Sequence, residues 1–208
     1  VLFGAKSKLI PIETACEHII ERQIQTIDTA MCNENLVLLV IGLGFEQKMI
    51  ENADRTQKNE GGQLAYVKAL WDAVQLNESQ QLHVTFDDKD EITIDASSFI
   101  VANAAPFATV LAQGGGNPDY QDGLLDITWM PKQDNANDQL VTMTELAISG
   151  LMQDFKSQNV EYTKARKIKI RADSPLHYVI DGENAQAKEL LIHIQPSSLN
   201  ILCNMPPL

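Results

Sequence analysis

Apolar residues at helical spacing dominate the first part of the chain. After Pro11, Ile12, Cys16, Ile19 and Ile20 fall on one face and predict an amphipathic helix over about 12–24. The same reasoning predicts further helical segments near 46–53, 61–76 and 140–155. Helices are therefore expected beside whatever other structure the chain forms.

Other segments read as β-strands. Residues 24–32 and 35–44 are predicted as two strands joined by the turn Asn33-Glu34-Asn35, the second apolar on both faces and therefore buried. From about residue 80, apolar and polar residues alternate. Residues 81–86 and 91–96 read as a hairpin around DDKDE. Further strands are predicted in SSFIVANA, LLDITWM, NVEYTKA, RKIKIRAD, PLHYVID, KELLIHIQ and LNILCNM. The expected fold is mainly β with helices (α+β), an antiparallel β-sandwich.

Composition narrows the class of protein. The chain has 208 residues, 44% of them hydrophobic, which suits one globular unit. A formal net charge of −12 makes nucleic acid an unfavourable partner. The three cysteines are widely spaced, which favours neither disulfides nor a zinc site. The protein is therefore predicted to reside in the reducing cytoplasm. The longest apolar run, residues 36–45, is too short for a membrane helix, and the start at Val1 suggests a fragment.

Most familiar catalytic motifs are absent. The four histidines, His18, His83, His177 and His193, lack the spacing of a metal site. Neither G-x-S-x-G nor a phosphate-binding G-x-x-x-x-G-K-[ST] or G-x-G-x-x-G occurs. Any nucleotide would therefore be held mainly by another part of the protein.

Two polar features have both a structural and a functional interpretation. Asp181-Gly182-Glu183 lies between two runs of alternating apolar and polar residues. It is either an ordinary hairpin turn or a turn that positions a carboxylate for proton transfer. Lys167, Lys169 and Arg171 share one face of a predicted strand. They form either a solvated strand face or an anion-docking surface.

Several motifs in sequence order resemble the C-terminal domain of the diacylglycerol kinase catalytic family, which includes bacterial lipid kinases and sphingosine kinases. They are Ile27-Asp28, Gly42-Leu43-Gly44-Phe45, Gly62 to Tyr66, Asn103-Ala104, Pro118 with Asp122-Gly123-Leu124-Leu125-Asp126, and Asp181-Gly182-Glu183. The resemblance covers nearly the whole chain. It implies a β-sandwich that forms the substrate-side half of a two-domain kinase.

The resemblance also implies roles for individual residues. Glu183 would accept the proton of a lipid hydroxyl as it attacks the γ-phosphoryl group of ATP, with Mg²⁺ neutralising charge. Asn103 and Asp181 would bind substrate, although Asp181 is also suited to shaping the turn. A structural Mg²⁺ would take a carboxylate oxygen of Asp122 and the carbonyls of Asp119 and Leu124. A simple Asp-Gly turn is the alternative at that segment.

Some family features are missing. The G-G-D-G-T loop and the G-T-x-N-D-F segment are absent, Glu46 replaces an Asp, and the F-G-G-G stretch is replaced by residues 107–110. The nucleotide-binding N-terminal domain is therefore expected to be absent from this chain, and the fragment alone is expected to be inactive.

The resulting hypothesis is a peripheral, cytoplasmic lipid kinase that acts on diacylglycerol. Its expected partners are a lipid at a membrane surface and its own N-terminal domain, and a homodimer is left open. A non-catalytic β-sandwich that binds lipid or protein is the main alternative. A soluble kinase related to NAD kinases is a third.

Overall fold

The structure is a computed structural model, which describes residues 16, 19–21, 24–44, 79–104, 119–132 and 160–202. Residues 16 and 19–21 are helical. Nine strands follow: β1 (Ile24–Cys32), β2 (Asn35–Val37), β3 (Val40–Gly44), β4 (Gln80–Phe86), β5 (Ile92–Ala102), β6 (Leu125–Pro131), β7 (Glu161–Ala165), β8 (Lys167–Ile180) and β9 (Glu183–Leu202). This part of the chain is mainly β.

Every strand pairing in the sheet is antiparallel. The strand order is β2-β1-β9-β8-β3-β5-β6-β7, and β4 pairs with both β5 and β8. Because β3 also lies between β5 and β8, the four strands β3, β5, β4 and β8 form a closed circuit of pairings. The sheet therefore folds back on itself, so that its apolar faces meet, as in a sandwich.

The long strands bend at irregularities in their register. The β8–β9 pairing is interrupted between Arg171 and Leu176, where Pro175 cannot donate a ladder hydrogen bond. The β1–β9 pairing is interrupted between Ile27 and Thr29, opposite the segment that contains Pro196. Bulges of this kind turn a strand and increase its twist. Proline therefore bends β8 and β9 without ending them.

The predicted strands are largely confirmed. Residues 24–32 and the hairpin of β4 and β5 lie as expected, but β5 joins the segments 91–96 and SSFIVANA, which were predicted as separate strands. The predicted strand over 35–44 is divided at Leu38 and Leu39 into β2 and β3. The last four predicted strands are two, β8 and β9, because their breaks are bulges. The helix predicted over 12–24 ends too late, because Ile24 already begins β1. The helices predicted near 46–53, 61–76 and 140–155 lie outside the described residues.

The core lies inside the folded sheet, where its apolar surfaces face each other. Its fully buried large side chains include Leu82, Phe99, Ile127, Ile168 and Leu125. Trp129 stacks against Phe86 and Phe99, with ring centroids 6.2 and 6.0 Å apart. A second cluster, made by Ile27, Ala104 and Tyr120, packs beneath the connection between β2 and β3. The core therefore extends to the segment that carries the candidate site.

Cys32 provides a test of this core. The side chain is fully buried, and burial raises the pKa of its thiol to about 11, an effect that a hydrogen bond with Tyr178 partly offsets. Only the thiolate reacts with alkylating reagents, so about a thousandth of Cys32 is reactive at pH 8. We expect iodoacetamide at pH 8 to label the exposed Cys16 and to leave Cys32 unmodified, as read by peptide mass spectrometry.

Labelling in guanidinium chloride is the control, because an unfolded chain exposes both thiols. Equal rates at Cys16 and Cys32 in the native protein would contradict the buried placement. The unfolded thiol ionises near 9.0 and the native thiol near 11, so this group's contribution to stability is present below pH 9 and is lost as pH rises through that window.

Candidate functional site

The Asp181-Gly182 pair forms a tight two-residue turn between β8 and β9. Both residues have positive φ, 48° and 95°, and Ile180 pairs directly with Glu183 across the turn. Two positive φ values are the mark of a type I′ hairpin, for which Asp-Gly is a favoured pair. The turn interpretation of Asp181 and Gly182 is therefore confirmed, and the turn fixes the position at which Glu183 begins β9.

Asp181 also holds the connection between β2 and β3. Its carboxylate accepts hydrogen bonds from the backbone N–H groups of Leu38, Leu39 and Val40 at 2.7, 2.8 and 2.9 Å. Its own N–H donates to the carbonyl of Val40 at 3.0 Å. Both carboxylate oxygens are thus used within the fold. The prediction that Asp181 binds substrate has to be weighed against this bonding.

Asn103 clamps the same connection from the other side. It is 1% exposed, and its side-chain amide donates to the carbonyls of Asp28 and Leu38 at 2.9 and 3.0 Å. Its backbone N–H donates to the carbonyl of Leu39. The amide oxygen of Asn103 is buried without a hydrogen-bond partner in the part of the chain that the structure describes. Asn103 and Asp181 therefore both bind residues 38–40, and Asn103 also bonds to the backbone of Asp28.

Asp28 is a functional candidate that the sequence analysis did not single out by role. It is 2% exposed, and its carboxylate accepts the N–H of Gly123 at 2.8 Å and the N–H of Ser197 at 2.7 Å. Asp28 thus joins the Asp-Gly segment after Tyr120 to the bulge of β9. A lone acid inside an otherwise buried strand was the signal that could have identified it.

Glu183 differs from these residues in being unused by the fold. It is exposed at the first position of β9, and among the described residues no hydrogen bond or ion pair is made by its side chain. A carboxylate with open lone pairs on a rigid turn can accept a proton from a substrate hydroxyl. The role of Glu183 as a general base stays a prediction, and its placement is compatible with that role.

The side chains of the segment predicted to hold a metal have other partners, but the predicted site also uses the carbonyls of Asp119 and Leu124 and stays a prediction. We call residues 119–124 the Asp-Gly loop. The carboxylate of Asp119 accepts the N–H of Gln121, and that of Asp122 accepts the N–H of Leu124, both at 2.9 Å. The other oxygen of Asp122 lies 2.7 Å from Nζ of Lys164. In the described ranges, no group of three or more His, Cys, Asp or Glu side chains could hold a metal ion.

A buried acid lies next to the Asp-Gly loop. Asp126 on β6 is 1% exposed, accepts a hydrogen bond from the hydroxyl of Tyr162 and lies 3.4 Å from Nζ of Lys164. Burial raises the pKa of Asp126, and its bonds to Tyr162 and Lys164 act in the opposite direction. Burial alone would lower the pKa of Lys164, but the two carboxylates raise it above its ordinary value. The network of Asp122, Asp126, Tyr162 and Lys164 was not predicted.

The predicted basic stripe lies on one exposed face of β8. Ile168 and Ile170 point into the core between its three members, as the alternation indicated. Each cation, however, has an acidic neighbour: Lys167 pairs with Asp88, Lys169 with Glu189 and Arg171 with Glu91. Exposed pairs of this kind are weak, but they cancel much of the positive field. Docking of anions on this face stays a prediction, and these pairs disfavour it.

A surface groove of about 520 Å³ lies beside Asp28, with Gly123, Arg166, His193 and Ser197 along its walls. Glu183 does not line this groove. The groove is therefore separate from the carboxylate that we consider for proton transfer.

Comparison with known proteins explains why these residues occur together. The pattern of the YegS C-terminal NAD kinase β-sandwich-like domain matches residues 39–203. The chain belongs to this family. The match begins at Leu39, in the connection between β2 and β3, and includes Asn103, the Asp-Gly loop and the Asp181-Gly182 turn. It confirms the resemblance to the C-terminal domain of diacylglycerol kinase-type proteins.

Relatives of this YegS-type domain include longer proteins. A Synechocystis protein described as uncharacterized is 37% identical over 191 residues, which are 91% of this chain and 44% of that protein. A Staphylococcus aureus protein with the name "Putative lipid kinase" is 25% identical over 90% of this chain and 60% of its own length. The chain thus spans about half the length of the curated relatives it matches.

Solved structures show the same fold. A Bacillus anthracis protein titled a "putative diacylglycerol kinase" superposes with a TM-score of 0.69 at 18% identity, over 93% of this chain and 61% of that one. The YegS-type β-sandwich is therefore the fold of this chain.

Within the described ranges, the structure contains no helix with the length and apolar content that a membrane span requires.

Proposed function

We propose that this chain is the substrate-side half of an ATP- and Mg²⁺-dependent lipid kinase, with diacylglycerol as the leading substrate. The observation that carries the proposal is the contrast between two neighbouring carboxylates. Asp181 is fully engaged by three backbone N–H groups, whereas Glu183 is exposed two residues later. The first fixes the turn and leaves the second free for chemistry.

The proposed mechanism needs little covalent chemistry from this chain. Glu183 orients the lipid hydroxyl and takes its proton as the oxygen bonds to the γ-phosphorus and the bond to ADP breaks. When bound, Mg²⁺ and ATP supply charge neutralisation and the phosphoryl group, held mainly by the nucleotide-binding half. Because the Asp181-Gly182 turn is tied to residues 38–40, Glu183 stays on a rigid support.

The proposal extends to the setting of the enzyme. The full protein would act at the cytoplasmic surface of a membrane, where its lipid substrate resides, and would join this chain to its own nucleotide-binding domain. This chain alone is expected to be inactive. Support comes from the family, from the name "Putative lipid kinase" of the Staphylococcus aureus relative, and from the greater length of the Staphylococcus aureus and Synechocystis relatives.

The test is phosphate transfer by the natural full-length protein. With radiolabelled ATP and a panel of lipid hydroxyls, Glu183→Gln is expected to lower kcat at least about a hundredfold, as loss of a general base does. Glu34→Gln is the matched control, since Glu34 is also an exposed glutamate in a hairpin turn.

The outcomes separate the alternatives. Labelling that is unchanged in Glu183→Gln would show that Glu183 is only a turn residue. If the wild-type protein labels no lipid, the non-catalytic binding module becomes the better interpretation.

A further inference from the structure

We propose that Lys164 is the built-in cation of the Asp-Gly loop and takes the place of a bound metal ion. Its ammonium group lies 2.7 Å from Asp122 Oδ2 and 3.4 Å from Asp126 Oδ2. A cation between two carboxylates is what a structural metal would otherwise provide. The inference concerns the fold of the loop and is independent of the proposed kinase reaction.

The side-chain oxygens of the loop do not fit a divalent ion. Magnesium requires about six oxygen ligands in near-octahedral geometry at about 2.0–2.1 Å. Asp122 has one oxygen bonded to the N–H of Leu124 and the other to Lys164. The carboxylate of Asp119 is also bonded within the loop, to the N–H of Gln121. A dication on Asp122 would have to displace the ammonium group or lie beside it.

Strand register explains why Lys164 reaches this position. Asp126 on β6 is the direct partner of Lys164 on β7, so the two side chains leave the sheet on the same face. Tyr162, two residues earlier on β7, points the same way and donates its hydroxyl to Asp126. Asp126 therefore has a hydrogen-bond donor on one oxygen and a positive charge near the other.

Burial makes this pairing matter for stability. The side chains of Lys164, Asp122 and Asp126 are 30%, 24% and 1% exposed. Water can stabilise an unpaired Asp122 in part, but it reaches Asp126 hardly at all. Removing the ammonium group would leave the buried Asp126 carboxylate with the Tyr162 hydroxyl as its remaining partner among the described residues. A lysine in the chain, unlike a bound metal ion, is always present. The loop should thus keep its structure without divalent ions.

The test is thermal unfolding of the full chain with EDTA and with millimolar Mg²⁺ at constant ionic strength. We expect the Tm of the wild-type protein to be the same in both conditions. Lys164→Met is expected to lower Tm by about 5 °C, and Mg²⁺ should restore part of that loss by entering between the two carboxylates. Lys188→Met is the matched control, because Lys188 is exposed on β9 and makes no ion pair with the described residues.

Two results would overturn the inference. One is a saturable gain in the wild-type Tm with Mg²⁺ that Asp122→Asn abolishes, which would show that a metal binds despite the lysine. The other is a Lys164→Met variant as stable as Lys188→Met. If Lys164→Met fails to fold, the wild-type titration with Mg²⁺ and EDTA still decides the question.

Discussion

Asp181→Ala is expected to lower the free energy of unfolding by about 3 kcal/mol, because one carboxylate accepts hydrogen bonds from three backbone N–H groups and a hydrogen bond to a charged group contributes about 1.5–3 kcal/mol. The N–H groups belong to Leu38, Leu39 and Val40, which are only partly exposed. Water near this exposed turn replaces some of the lost bonding, so the full sum is not expected. Urea unfolding followed by circular dichroism measures the change.

Asp88→Ala is the matched control for this substitution. Asp88 also has a positive φ, 59°, and is exposed, but within the described ranges its carboxylate makes only the surface pair with Lys167. Its replacement removes the same charge and introduces the same left-handed strain, at a cost of about 1 kcal/mol. The difference between the two variants isolates the three backbone bonds. Equal losses would leave Asp181 free for the predicted contact with substrate.

The sequence predicted the strands and the turn better than it predicted the partners of polar residues. Alternation locates β4 and the first half of β5, where every second residue is buried. β6 and the second half of β5 are buried on both faces and are recognised by their apolar residues. Neither pattern reveals that Pro175 lies in a bulge within β8, since a proline in a sequence usually suggests the end of a strand. Bulges depend on the opposite strand, which for β9 is β1, far away in sequence.

The candidate site shows the same limit. The Asp-Gly pair at 181–182 identifies its turn because φ preferences are local. The bonds from Asp181 to residues 38–40 join segments about 140 residues apart, and the pair of Lys164 and Asp126 depends on the register of β6 and β7. Local sequence carries no direct record of such contacts. The family resemblance identified Asp181 and Asn103 as important without showing that both hold the backbone.

Gly44→Ala is expected to lower the free energy of unfolding by about 4 kcal/mol. Gly44 has φ +75°, which costs a residue with a Cβ about 1–2 kcal/mol. A Cβ at this position would also lie 2.6 Å from the carbonyl oxygen of Ser97, a backbone atom of β5. Relieving that overlap requires β3 and β5 to separate, and overpacking of this kind costs about 1–3 kcal/mol more.

Gly123→Ala separates the two contributions. Gly123 has nearly the same φ, +71°, but among the described residues its added Cβ would meet nothing nearer than Pro196 Cγ at 3.9 Å. We therefore expect a loss of about 1–2 kcal/mol there, from backbone strain alone. The excess loss in Gly44→Ala then measures how closely β3 and β5 approach at the end of β3.

The comparison also tests what the glycine in the Gly42-Leu43-Gly44-Phe45 motif is for. If Gly44→Ala loses clearly more stability than Gly123→Ala, the close approach of two backbones is sufficient reason for a glycine there, and no ligand needs to be invoked. If the two losses are equal, β5 yields without cost and the steric argument is wrong. Loss of phosphate transfer in a Gly44→Ala variant that is no less stable than Gly123→Ala would then place a ligand, and not β5, against this glycine.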